Sequence, residues 1–151
     1  MIRIITVGEI KESYLKEAIE EYKKRIQKYT KLEIIEVKEE GMVEKEKALK
    51  LEGERIEKNI KEKDYVITLE IEGIESTSIE FSKKIENTLI TNSNITFIIG
   101  GSNGLDQTIK NRSNYKLSFS KMTFPHQLFR VILLEQIYRA FKIINNESYH
   151  K

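Results

Sequence analysis

An α/β domain with a mainly parallel sheet and flanking helices is what this sequence predicts, and three observations carry that reading. Short apolar runs rich in β-branched residues alternate with segments whose apolar residues recur at helical spacing. The length of 151 residues suits one domain spanning residues 1–151, not two. Hydrophobic residues make up 39% and charged residues 33%, and no apolar run approaches the ~18 residues that a membrane span needs.

Taken in order, Ile2 to Val7 is apolar and β-branched, as a buried strand requires. Leu15, Ala18, Ile19, Tyr22 and Ile26 then follow a helical period. Leu32, Ile34, Ile35 and Val37 predict a second strand. Gly41 interrupts, and a heavily charged helix follows near Lys45 to Ile60, with Leu49, Ile56 and Ile60 on one side. Its charged face reads as solvated. Tyr65 to Ile71 predicts a third strand that Gly73 ends. Thr77 and Glu80 have capping-box spacing, and Phe81, Ile85 and Leu89 give the next helix its buried face. Ile95 to Ile99 predicts a fourth strand and Tyr115 to Phe119 a fifth. The only proline, Pro125, marks the start of a last helix running to Ile144. No internal repeat or low-complexity tract interrupts the pattern.

Composition narrows the chemistry. With no cysteine, disulfides, thiolate metal sites and cysteine nucleophiles are excluded. No cluster of His and carboxylates stands at ligand spacing, so no metal is expected. The N-terminus is too short and strand-like for a secretory signal, which makes a cytoplasmic location the expectation. The net charge of +2 conceals an asymmetry: residues 1–96 hold 18 Lys+Arg against 21 Asp+Glu (−3), residues 97–151 hold 8 against 3 (+5). A phosphate-backbone partner favours such a basic end, and a merely solvated basic surface fits it as well.

Ligands of a parallel sheet bind beyond the carboxyl ends of its strands. There the fourth strand runs into Gly100-Gly101-Ser102-Asn103-Gly104, where the backbone can turn sharply and approach a ligand. Ile99 occupies a place where a dinucleotide fingerprint needs glycine, and no Gly-Lys-Ser/Thr follows, so neither common phosphate cradle is present. The loop Ser118 to Phe124 alternates polar and apolar residues ahead of a helix, a composition suited to an adenosine pocket. Taken singly, each loop also fits a structural turn. The last helix leaves no wide polar face, which predicts burial on all sides and hence a homodimer built around it. His126 and Arg130 share a face at its start; Glu135 and Arg139, also four apart, are expected to pair. A single His near a helix start equally fits a cap, and Tyr149-His150-Lys151 a frayed tail.

The order of these features decides. Phe97-Ile98-Ile99-Gly100-Gly101-Ser102-Asn103-Gly104-Leu105, then Leu117 to Gln127, Arg130, Leu134 to Ile143 and Tyr149-His150-Lys151 closely resemble the ribosomal large-subunit RNA methyltransferase H family of the SPOUT class. Ile4 to Lys11 and Val66 to Gly73 fit as well, so the resemblance covers the chain. It implies a C-terminal trefoil knot, which periodicity cannot reveal and the general rarity of knots argues against. It also implies a homodimer binding S-adenosylmethionine through Leu69, Gly100 and the loop Phe119, Ser120, Lys121, Met122, Thr123 and Phe124. The implied reaction is methylation of N3 of a pseudouridine in 23S rRNA on assembled ribosomes, with neither DNA nor a membrane as partner.

That imide nitrogen must lose its proton to become nucleophilic, which a base or a nearby cation assists. His126, Arg130, Tyr149 and His150 are the candidate catalytic groups, and the sequence does not single out a base among them. Two further classes remain open at this stage: a non-catalytic ribosome-binding protein of the same fold, and a SPOUT enzyme acting on another RNA.

Overall fold

The computed structural model describes residues 1–41 and 43–151. Five strands, β1 (Ile2–Val7), β2 (Leu32–Val37), β3 (Tyr65–Glu75), β4 (Ile95–Ile99) and β5 (Tyr115–Ser118), form one sheet in the order β2-β1-β4-β3-β5, every pair parallel. The helices are α1 (Ser13–Ile26), α2 (Lys45–Glu57), α3 (Ser78–Thr91), α4 (Gln107–Arg112) and α5 (His126–Ile144). The expected α/β architecture with a parallel sheet is present.

The alternation of side chains along each strand sets the layers. Ile2 and Ile4, Phe97 and Ile99, and Ile67 pack with α1, α3 and α5 residues such as Ile26, Ile85 and Ile137. Ile5, Val7, Val66 and Ile98 face the other way, against Ile56 of α2 and Ile109 of α4. Helices therefore cover both faces, which is why β1 and β4 are apolar at nearly every position and buried throughout. At the amino ends of the strands, buried Arg3 donates to Asp64 (2.6 Å) and to Thr96 (3.3 Å), tying β1, the start of β3 and β4 together.

Local signals explain most boundaries. Thr77 Oγ1 accepts from Glu80 N (3.1 Å) while Glu80 Oε1 accepts from Thr77 N (2.9 Å), the reciprocal cap that starts α3. α5 ends in a left-handed Asn146 (φ 55°). The backbone N–H groups of Asn146 and Glu147 return to the carbonyls of Ile143 and Lys142 at 3.1 and 2.9 Å. That turn reverses the chain and lays the C-terminal tail back on the helix.

Two expectations change. Gly73 does not end β3: the strand continues to Glu75 past a register shift between Leu69 and Ile74. A Cβ at Gly73 would stand 2.8 Å from the Lys116 and Leu117 backbone, so the glycine permits close passage along β5 instead of stopping the strand. α2 stops at Glu57, before Ile60, and buries Ala48, Glu52, Gly53 and Ile56, with Leu49 only half-buried. A glutamate inside that stripe hid its phase. α4 follows the glycine loop and had no apolar period long enough to announce it. Within the chain α5 buries Arg130, Leu133, Leu134, Ile137, Ala140 and Phe141, with Val131 and Ile132 half-buried and Leu128 exposed. No helix of the described residues is long and apolar enough to cross a membrane.

Candidate active site

Beyond the carboxyl ends of β4 and β5, beside the register shift in β3, lies a cavity of about 350 Å³. β3 contributes Leu69 and Glu70, the glycine loop Gly100, Gly101 and Gly104, and the loop after β5 contributes Phe119, Ser120, Met122, Thr123 and Phe124. His126 and Phe129, from the first turn of α5, complete the wall. The structure thus gathers around one cavity every residue expected to hold a cofactor except Lys121, which is exposed and does not line it.

The glycine loop is held by its own geometry. Gly104 has φ +83°, and a Cβ on Gly100 would lie 2.5 Å from the Gly104 carbonyl oxygen. A tight turn therefore accounts for these glycines, and the same turn walls the cavity. Opposite it the aromatic wall is built by contact: Phe119 lies edge-on to Phe129 at 5.1 Å and to Phe81 at 6.0 Å, while Phe124 approaches Phe129 at 5.8 Å. The loop after β5 is pinned by Ser118 Oγ donating to Ser120 O (3.1 Å) and Met122 N donating to Ser120 Oγ (3.0 Å). β3 and α4 give the wall three charged residues, Glu70, Glu72 and Lys110; Glu70 accepts from Thr68 Oγ1 (2.6 Å) and stands 3.9 Å from Lys110 Nζ.

Glu39, just past the end of β2, is a site residue that the sequence reading missed. Its Oε1 accepts from both Ser102 N (3.2 Å) and Ser102 Oγ (2.9 Å), fastening the glycine loop from outside. Partial burial opposes its ionisation, but the Ser102 hydrogen bonds together with His126 and Lys11 hold its carboxyl below the usual value. Its position just beyond a strand's carboxyl end was the signal available in the sequence.

The four candidate catalytic residues divide. His126 reaches the cavity. Arg130 does not: it is 3% exposed, its Nη1 donates to Glu36 (2.7 Å), and its Nη2 donates to Val7 O (2.9 Å) and Gly8 O (2.8 Å). Burial pushes its guanidinium down while Glu36 and Glu39 oppose that shift. Tyr149 and His150 lie elsewhere in the subunit. Tyr149 donates to Glu135 Oε1 (3.0 Å) and packs edge-on against Tyr138 at 4.9 Å; His150 Nδ1 is 3.1 Å from Arg139 Nη1. Desolvation and Glu135 push the Tyr149 hydroxyl up to about 12. Glu135 and Arg139 make the expected pair, at 2.6 Å. These two residues stand nine and thirteen positions beyond His126 in α5, about 14 to 20 Å at 1.5 Å per residue. Tail and cavity are therefore not brought together within one chain.

Among the described residues no group of three His, Asp or Glu is placed to hold a metal ion.

Comparison with known proteins matches these features to one family. The model described as "Predicted SPOUT methyltransferase" matches residues 1–150. The ribosomal RNA large subunit methyltransferase H of Clostridium botulinum strain Hall is 57% identical over 157 aligned positions, covering 99% of both chains. Its counterpart of the same name in Ruminiclostridium cellulolyticum is 52% identical with the same coverage. A relative from Methanococcus maripaludis, bearing that name in provisional form, is 60% identical over 99% of both chains. A solved methylase family protein from Haemophilus influenzae shares the fold, with a TM-score of 0.58 at 17% identity over 99% of this chain and 70% of its own. With a parallel sheet, a cavity beyond its strand ends and a family match along nearly the whole chain, the protein belongs to the SPOUT methyltransferase family.

Proposed function

We propose that this protein is an S-adenosylmethionine-dependent methyltransferase that methylates N3 of a pseudouridine in 23S rRNA, acting as a cytoplasmic homodimer on assembled ribosomes. The observation that carries this reading is the cavity itself, walled by the glycine loop and by Phe119 to Phe124 in a chain whose relatives at 52% and 57% identity are named for methylation of large-subunit rRNA. The trefoil knot of the resemblance is part of the proposal and rests on family membership.

The wall residues fit a nucleoside cofactor. Leu69, Phe119, Phe124 and Phe129 offer apolar surface to a ring, and the glycine loop brings backbone close without side chains in the way. S-adenosylmethionine bound there supplies a methyl group on a sulfonium, already a good leaving group. The protein's task is then alignment and deprotonation of the imide. His126, which lines the cavity, is the candidate group of the subunit to which this reading gives that proton. Arg130 serves by holding the first turn of α5 on the ends of β1 and β2.

Tyr149 and His150 can reach a cavity only across a dimer. Packing α5 against its own copy in the opposite direction would cover Leu128, Val131 and Ile132 and carry one subunit's tail towards the other's His126. In that arrangement a protonated Tyr149 acts as a hydrogen-bond donor to RNA or to a substrate carbonyl, and the basic C-terminal third meets phosphate.

Mass spectrometry of 23S rRNA from cells with and without the protein tests the reading, with a methylpseudouridine present only in the former as the expected result. An unchanged signal would count decisively against it. Calorimetric binding of S-adenosylmethionine together with methyl transfer to ribosomes separates it from a ribosome-binding protein without chemistry.

A further inference from the structure

The cavity beyond β4 and β5 is walled by charge as well as by rings. Glu70 and Glu72 of β3 and Lys110 of α4 line it, and Lys110 is the only lysine or arginine that does so. Lys110 Nζ stands 3.9 Å from Glu70 Oε1. That is beyond the reach of an N–H···O bond, about 3.2 Å, so the two attract without satisfying each other.

Both groups are held from behind and open in front. Glu70 is fixed through its other oxygen, Oε2, which accepts from Thr68 Oγ1 at 2.6 Å, and Thr68 is fully buried. Lys110 follows Ile109, also fully buried, which packs α4 against the sheet. The two charged side chains themselves keep solvent access, 13% for Glu70 and 36% for Lys110. They are open to a molecule in the cavity that they line.

Charge and spacing select the chemistry of that molecule. An ammonium and a carboxylate carried on one carbon need a carboxylate and an ammonium side by side, which this pair supplies 3.9 Å apart. A phosphate would meet two carboxylates for its one cation. Those two carboxylates against one ammonium also leave the wall with a formal charge of −1. S-Adenosylmethionine carries a sulfonium, an ammonium and a carboxylate, and its net positive charge complements that excess.

We propose that Lys110 and Glu70 hold the amino-acid end of the cofactor, Lys110 donating to its α-carboxylate and Glu70 accepting from its α-ammonium. The assignment rests on the methyl-transfer reading and adds to it a subsite that tells the whole cofactor from nucleosides without the amino acid. The competing arrangement is an ion pair that only ties β3 to α4, and ligand binding separates the two.

The test is calorimetry of the full-length protein with three nucleosides. S-Adenosylhomocysteine has both groups, S-adenosyl-3-thiopropylamine lacks the carboxylate, and 5′-methylthioadenosine lacks both. The native protein should bind the first about tenfold more tightly than the second, the worth of one charge-assisted hydrogen bond. Lys110→Met should abolish that preference. Glu70→Gln, which keeps an acceptor for Thr68, should weaken both amine-bearing ligands about tenfold. Neither substitution should move the affinity for 5′-methylthioadenosine. Where a variant fails to fold, the native protein's ranking of the three ligands decides. Equal native affinities for the first two overturn the proposal, and so does a Lys110→Met variant that keeps the native preference. A variant that weakens 5′-methylthioadenosine as much as S-adenosylhomocysteine also overturns it, because that is the mark of a lost tie between β3 and α4. Native protein that binds none of the three overturns the methyl-transfer reading as well, whereas tight and equal binding of all three removes only this subsite.

Discussion

Arg130 and Glu36, 94 residues apart in the chain, meet at 2.7 Å, and through the same guanidinium α5 also holds the Val7 and Gly8 carbonyls. The helix turn that brings His126 to the cavity is therefore fixed to the ends of β1 and β2 by one side chain. Arg130→Met should lower stability by about 2–4 kcal/mol, below the full cost of breaking a buried pair because Glu36 is partly exposed. Arg130→Lys should recover little of it, since an ammonium cannot serve Glu36 and both carbonyls from one plane. Urea denaturation of the three proteins checks this.

Glu39 fastens Ser102 by two hydrogen bonds and does not itself line the cavity. Glu39→Ala should raise the dissociation constant for S-adenosylmethionine about tenfold, the equivalent of roughly 1.4 kcal/mol of lost loop order, while thermal stability changes little. Glu39→Gln keeps one acceptor oxygen and should lose less. Calorimetry beside a melting curve separates the two effects, and an unchanged dissociation constant in the alanine variant would remove Glu39 from the site.

Glu52 should reveal itself through pH. It is buried in α2, with one carboxylate oxygen accepting from Glu40 N (2.9 Å) and the other unpartnered. Desolvation, with Glu39 and Glu40 nearby, raises its pKa in the folded state. A carboxyl whose folded pKa is raised favours folding fully below its unfolded pKa, about 4.3, and that contribution is lost as pH rises through the folded value. Glu52→Gln has no such proton, so its stability relative to the native protein should increase between acid and neutral pH. Parallel melts across that range check the slope; a difference that is flat with pH would mean that Glu52 is not strained by its charge.

Tyr149 has its hydroxyl pushed up to about 12 and stays protonated at neutral pH. Tyr149→Phe should lower turnover without moving cofactor affinity, and the acid limb of the pH–rate profile should keep its position because that hydroxyl is no base. A large loss of cofactor affinity in calorimetry would end the division of labour between cavity and tail.

Gly73 and Gly41 give a matched pair. A Cβ at Gly73 meets the Lys116 and Leu117 backbone at 2.8 Å, whereas one at Gly41 meets nothing within 4 Å. Gly73→Ala should cost about 1–3 kcal/mol by forcing β3 and β5 apart; Gly41→Ala should stay within about 0.5 kcal/mol. Denaturant midpoints of both variants decide.

The sequence by itself determined the α/β class, the five strands and the capped start of α3. In each case the signal is local: β-branched runs such as Ile2–Val7, a helical period such as Leu15 to Ile26, or Thr77 with Glu80 one turn on. It also marked both loops that now wall the cavity, since glycines and a polar–apolar alternation are visible in any chain. What tertiary structure decided is where separate segments meet. Glu39 gains its part only because β2 ends beside the glycine loop, and Glu52 lies inside because α2 turns that face inward. Gly73 looked like a stop until β5 was laid against it. Arg130, four residues from His126 and on the same helix face, points to strand ends instead of the cavity, and Tyr149 and His150 fold back onto Glu135 and Arg139. Such placements depend on contacts between residues tens of positions apart, and local composition holds no record of them.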